Sequence, residues 1–186
     1  MFRNTAITVD SVRVEESAAE FVMDEETFRA FYERTARGVW AYLARVTGDR
    51  HQADDLLQEA FYRFLRANTA YESETHRRNS LYRIATNLAR DARRRGLVRS
   101  ATIHADRDIE GVAAGDETGA RDRSADLNRA MSQLKPKERA MLWLAYGEGA
   151  SHGEIAAVLG LSATSLKTTL FRARRKLGAL LRGGKP

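Results

Sequence analysis

Apolar residues recur along most of the chain at steps of three and four, and the period-two alternation of a half-buried strand is rare. Phe28, Phe31, Tyr32, Val39, Leu43 and Val46 predict a helix from about Glu25 to Thr47, which Gly48 ends. Asp49, with Gln52 three residues on, reads as the cap of a second helix reaching about Ala67. Its stripe is the most regular in the chain: Ala53, Leu56, Leu57, Ala60, Phe61, Phe64 and Leu65. The opposite face carries Asp54, Asp55, Gln58, Glu59, Tyr62 and Arg63, with acid before base as the helix dipole favours.

The polar stretch 68–79 reads as a loop, followed by a third helix from about Ser80 to Arg95 with Leu81, Ile84, Ala85, Leu88 and Ala92 inward. Its outer face is basic, since Arg83, Asn87, Arg90 and Arg94 project together and only Asp91 offsets them. Periodicity stops over 96–123, where Gly111, Gly115 and Gly119 interrupt an acidic run. That stretch predicts a flexible linker between two domains. Helices are then expected from Ser124 to Leu134 and from Pro136 to about Tyr146. The Ser151/Glu154 capping box opens a short helix to Leu159, Gly160-Leu161-Ser162 turns, and a long helix runs from Ala163 to about Leu181.

The fold class expected is all-α, with two small helical domains joined by a flexible acidic linker. The divisions are 1–24, a mobile acidic extension; 25–95, the first domain; 96–123, the linker; 124–182, the second domain; and 183–186, a tail. In 186 residues a formal net charge of +6 points to a polyanionic partner. The absence of cysteine excludes disulfides, thiolate catalysis and cysteine-held metals. No apolar run approaches the ~20 residues of a membrane span, and the N-terminus lacks the apolar core of a secretory signal, so a cytoplasmic location is expected. The four histidines have no metal-ligand spacing, and no nucleophile stands with a base. Adjacent Asp54 and Asp55 diverge by about 100° on a helix. No catalytic residue, metal or cofactor is expected.

Between Ser151 and Leu181 the pattern is that of a helix-turn-helix. Two helices crossing steeply need a small residue at the contact and one tolerant of positive φ in the turn, which Ala156 and Gly160 supply. Ile155, Leu159, Leu161, Leu166 and Leu170 furnish the shared core. From Ala163 onward no acidic residue occurs. Side chains near the start of the second helix reach base edges in the major groove, which nominates Thr164, Ser165, Lys167 and Thr168. Arg172 and Arg175, farther along, are placed for the phosphate backbone.

Taken in order, the motifs resemble those of bacterial RNA polymerase sigma factors of the sigma-70 family, extracytoplasmic function (ECF) type. The resemblance spans about Glu25 to Leu181 and rests on Ala53-Asp54-Asp55-Leu56-Leu57-Gln58-Glu59-Ala60-Phe61 and on Leu81 to Asp91. It rests also on Leu134 to Arg139, Glu154 to Ser162, Leu166-Lys167 and Phe171 to Arg174. It implies a region 2 that docks the β′ coiled coil of core RNA polymerase through Asp54, Asp55, Gln58 and Glu59. The same region would read the opened -10 strand through Arg83, Thr86, Asn87, Arg90 and Arg94. It implies a region 4 that reads the -35 duplex, with the β subunit, promoter DNA and an anti-sigma factor among the partners and no membrane. Tyr71 or His76 in the loop before the third helix is a candidate for stacking on an exposed base. Ser80 departs from the family, many of whose members have tryptophan there.

Two other classes fit parts of this pattern. A ligand-sensing regulator would use the same helix-turn-helix but leaves the basic Asn87 face unexplained, and an enzyme would need a converging acid-base constellation. The linker fits either a plain tether or an acidic segment that imitates nucleic acid in the polymerase cleft.

Overall fold

The computed structural model describes residues 23–100 and 118–183, with side chains described for 23–96 and 125–183. The expectations for the acidic extension before Met23, for most of the linker and for the last three residues lie outside these. Every regular element among the described residues is helical: α1 Glu25–Thr47, α2 Arg50–Arg66, α3 Glu74–Ser100, α4 Thr118–Ser132, α5 Pro136–Leu142, α6 His152–Leu159 and α7 Ala163–Gly183. A single π-helical turn, Trp143–Gly147, extends α5.

Local chemistry accounts for the ends. Asp24 caps α1 by accepting from the Thr27 amide at 2.8 Å, and Gly48 closes the helix at a φ of 80° that other residues resist. Asp49 caps α2 through the Gln52 amide at 3.1 Å. Helix α3 starts six residues before the predicted Ser80, because Ser73 is itself a cap. Its hydroxyl accepts from the His76 amide at 3.1 Å and its carbonyl from the Arg77 amide at 3.0 Å. The capping box of α6 is complete: the Ser151 amide donates to Glu154 Oε2 at 2.7 Å and the Glu154 amide to Ser151 Oγ at 3.3 Å. Gly160, at φ 62°, makes the turn into α7.

In the N-terminal half, α1 to α3 pack around aromatic rings. Phe31 stacks on Phe64 at 5.1 Å, Phe64 on Tyr71 at 5.2 Å, and Tyr42 meets Tyr82 edge-on at 5.3 Å. In the C-terminal half, α4 to α7 bury Met141, Leu144, Ile155, Leu159 and Leu166.

The two halves do not stand apart, as a spacing linker had suggested. Their buried residues form one continuous apolar cluster from Phe31 to Ala173, with α3 against α6 and α1 against α5. Among the described residues each half turns apolar side chains towards the other. Fully burying a Leu or Ile side chain contributes about 1.5–3 kcal/mol, which explains why the faces meet. Polar contacts then fix the register. Arg45 of α1 lies 4.6 Å over the Trp143 ring and donates to Asn128 Oδ1 at 3.0 Å, while Arg139 of α5 donates to the Arg45 carbonyl at 2.8 Å. Burial lowers the pKa of both guanidinium groups, with Arg93 adding to the effect at Arg139.

Gly38, in the middle of α1, makes the closest approach possible. A Cβ there would lie 3.0 Å from both Tyr82 OH and Glu148 Oε1, so its absence lets the loop after the π turn reach α3. Burial, followed by the facing Glu148 carboxylate, pushes the Tyr82 hydroxyl far above the usual tyrosine range.

Candidate nucleic-acid and protein interfaces

Helix α2 turns Ala53, Leu56, Ala60, Phe61 and Phe64 inward, which leaves Asp54, Asp55 and Gln58 exposed and Glu59 half-buried on the other side. Asp54 Oδ1 accepts from the Trp40 indole at 2.7 Å, and Glu59 is paired with Arg63 at 2.6 Å. Asp55 and Gln58 make no side-chain hydrogen bond among the described residues. Tyr62, read from the sequence as part of this face but not as a contact residue, is 54% exposed, with Arg66 donating to its hydroxyl at 3.1 Å. An exposed tyrosine beside charged side chains has the composition of a contact anchor. Its signal was the i+4 spacing from Gln58.

On α3, Arg83, Asn87, Arg90 and Arg94 share one outward stripe, as their spacing predicts. Thr86 does not. It is 2% exposed, its hydroxyl donates to the Tyr82 carbonyl at 2.7 Å, and it meets the Tyr42 hydroxyl at 2.6 Å. The residue sits one position from Asn87 and so about 100° around the helix, which turns it into the core. Burial also lifts the Tyr42 hydroxyl to about 12. Arg90 is already engaged, donating to the Leu159 carbonyl at 2.5 Å, and Arg94 pairs with Asp91 at 3.1 Å. Tyr71, the stacking candidate, has one ring face on Phe64, with the Arg77 guanidinium 6.0 Å away and the His76 ring edge-on at 5.6 Å. It packs as part of the aromatic core of the first half. Ser80 is half-buried in a groove between α3 and α6 whose walls include Asn79 and Glu154, joined at 3.1 Å.

Helix α7 buries Leu166, Leu170 and Ala173 against the rest of its half. Thr164, Ser165, Lys167, Thr168, Arg172 and Arg175 are all exposed. Lys176, by contrast, is held by Glu138 at 3.1 Å. Phe171 was missed. Half of its surface is exposed, it lies in one depression with Lys167, Thr168 and Tyr146, and the Arg174 and Arg175 guanidinium groups stand 5.9 Å from its ring. A phenylalanine directed outward between cations offers a base methyl or sugar an apolar contact. Among the described residues no group of acidic and histidine side chains has the arrangement of a metal site, and no helix is long and apolar enough to cross a membrane.

A helix with an exposed acidic patch, a basic stripe and a helix-turn-helix thus share one chain. Residues 31–97 match the model of Sigma-70 region 2 and residues 124–177 that of Sigma-70, region 4. The chain is 30% identical over 161 residues to the ECF RNA polymerase sigma factor SigL of Mycobacterium tuberculosis, covering 80% of this chain and 85% of that one.

The chain belongs to the ECF sigma factors.

The RNA polymerase sigma factor CarQ of Myxococcus xanthus is 33% identical over 161 residues, covering 84% and 90% of the two chains. The ECF sigma factor SigE of Mycolicibacterium smegmatis is 35% identical over 143 residues, 75% of this chain, but the match spans only 55% of that longer relative. Among solved structures, the sigma factor RpoE in complex with the anti-sigma factor NepR from Bartonella quintana has the same fold. Its TM-score is 0.70 at 20% identity, over 85% of this chain and 98% of that one. CnrH in complex with the cytosolic domain of CnrY gives a TM-score of 0.60 at 24% identity, over 87% and 92%. As a sigma factor the chain directs promoter-specific transcription initiation, with α1 to α3 as region 2 and α4 to α7 as region 4.

Proposed function

We propose that this sigma factor docks core RNA polymerase through Asp54, Asp55, Gln58, Glu59 and Tyr62 on α2. Lys167, Thr168 and their neighbours Thr164, Ser165, Arg172 and Arg175 on α7 read the -35 duplex. Arg83, Asn87, Arg90 and Arg94 on α3 capture the opened -10 strand. The supporting observation is that two separate basic helix faces, on α3 and α7, stand out on a molecule whose α2 presents acid. Duplex and single strand need different surfaces, since base edges in the major groove admit a helix whereas an opened strand is held along a cationic track.

The division of domains follows from these roles: 25–95 for docking and -10 reading, 124–182 for -35 reading. The protein supplies recognition, in the cytoplasm, and the polymerase supplies the chemistry. An anti-sigma factor is a further partner, by analogy with RpoE and CnrH, each of which is in complex with another protein. The test is reconstitution. Purified chain added to core polymerase should give initiation at a cognate promoter, and failure to bind core would sink the reading. A footprint on promoter DNA without polymerase would instead favour a conventional regulator.

A further inference from the structure

Between the two halves lies a cavity of about 300 Å³, walled by α1, α3, α5 and the last turn of α6. Its floor is apolar, built from Val46, Ala89, Pro136, Ala140 and Leu159, with the Tyr42–Thr86 hydroxyl pair at the back. Its rim is cationic: Arg90, Arg93 and Arg94 come from region 2 and Lys137 from region 4. Among the described residues no carboxylate lines it. Arg90 donates to the Leu159 carbonyl at 2.5 Å and Arg94 pairs with Asp91 at 3.1 Å. Arg93 and Lys137 are exposed and make no ion pair among the described residues, and Arg93 lies close enough to Arg139 to lower its pKa. Two unpaired cations from different halves therefore face an apolar hollow.

Like charges gathered around a cavity repel unless an anion joins them. Guanidinium and ammonium groups suit phosphate oxygens, through paired donors in one case and a point charge in the other. An apolar floor with a few convergent polar groups is the usual form of a small-molecule site, and ~300 Å³ is the lower end of the range for one. In the hydroxyl chain at the back, Thr86 donates to the Tyr82 carbonyl, so Tyr42 donates to Thr86, and both hydroxyls are met within the buried wall.

We infer that this cavity binds a nucleoside di- or triphosphate, with the phosphates between Arg93 and Lys137 and the base over the apolar floor. A ligand so held bridges region 2 and region 4. It favours the closed arrangement and keeps Arg90 and Arg94 from a nucleic acid strand. The site stands on its own geometry, independent of which promoter bases the chain reads.

Calorimetric titration of the full chain at near-physiological salt tests this, using GTP and ATP with guanosine and tripolyphosphate as the separated halves. Saturable one-to-one binding of a nucleotide is expected, about tenfold or more tighter than either half alone. The double variant Arg93→Ser/Lys137→Ser, checked for folding by circular dichroism, should weaken it about tenfold or more. Arg29→Ser, an exposed cation on α1 paired with Glu25 at 2.8 Å, should leave it unchanged. Binding of GTP no tighter than tripolyphosphate, unaltered binding by the double variant, or an equal loss in Arg29→Ser would each overturn the assignment.

Discussion

Arg90 donates to the main-chain carbonyl of Leu159 at 2.5 Å, and this contact ties the basic stripe of region 2 to the first helix of the helix-turn-helix. The carbonyl is one of the last in α6, where the helix leaves its acceptors unmet. A guanidinium so placed serves as a cap across the junction of the two halves, and it is held in an orientation set by that contact.

Arg90→Ala should therefore loosen the closed arrangement before any promoter is present. A hydrogen bond to a charged group contributes about 1.5–3 kcal/mol, and partial exposure keeps this one near the low end, so the closed-to-open ratio should fall about tenfold. Small-angle scattering of the free protein would register a larger radius of gyration. An unchanged radius would mean that apolar contacts alone hold the halves together.

Lys167→Ala should weaken binding to -35 duplex and reduce the slope of log affinity against log salt by about one if it contacts a phosphate. Binding to core polymerase should persist. The pair Asp55→Ala/Glu59→Ala should do the opposite, and titrations of both variants against both partners would expose any failure of this separation.

Thr86→Val separates core from reader. Removing the hydroxyl leaves the Tyr42 OH, whose partner it is at 2.6 Å, unmet in a buried place, which costs about 1–3 kcal/mol. Denaturant melts should show that loss while the preference among -10 sequences stays as in the parent. A changed preference with unchanged stability would return Thr86 to the reading face.

Glu154 carries a pH dependence. Hydrogen bonds from Ser151, followed by that from Asn79, lower its pKa on folding. Its carboxylate thus adds stability above the unfolded value of about 4.3, and that contribution is lost as pH falls through the lower folded value. Glu154→Gln should melt below the parent at pH 7 and approach it in acid. Parallel melting curves from pH 7 down to acid would remove the effect.

The sequence was most legible where a residue acts on its near neighbours. Gly48, Asp49, Ser151 and Gly160 set helix ends within one turn of themselves, and the structure puts the ends there. Ser73 is the same kind of signal, but it was lost inside a polar run without apolar spacing to mark the helix it opens. The stripe on α3 was readable by angle except at Thr86, where a polar side chain was assigned to the outer face although its neighbours Ala85 and Leu88 point to the core. The contact between the halves was not legible. It depends on Gly38, Arg45 and Trp143, which are far apart in the chain and unremarkable in any local window. Tyr62 was legible as an outward residue but not as a contact, since an aromatic on a polar face carries no local mark of a partner, and Phe171 was passed over among the cations around it.

Asn128 Nδ2 and Arg139 Nε are buried polar atoms at the seam, and with Trp143 they belong to side chains that touch Arg45. Separation of the halves would bring these groups and the apolar faces beside them into solvent, so opening exchanges apolar contact for hydration. The two respond to temperature in opposite directions, since apolar burial weakens on cooling while hydration of polar groups grows more favourable. Chilling should therefore shift the balance at the seam between region 2 and region 4 towards separation, which a radius of gyration rising as the temperature falls would register.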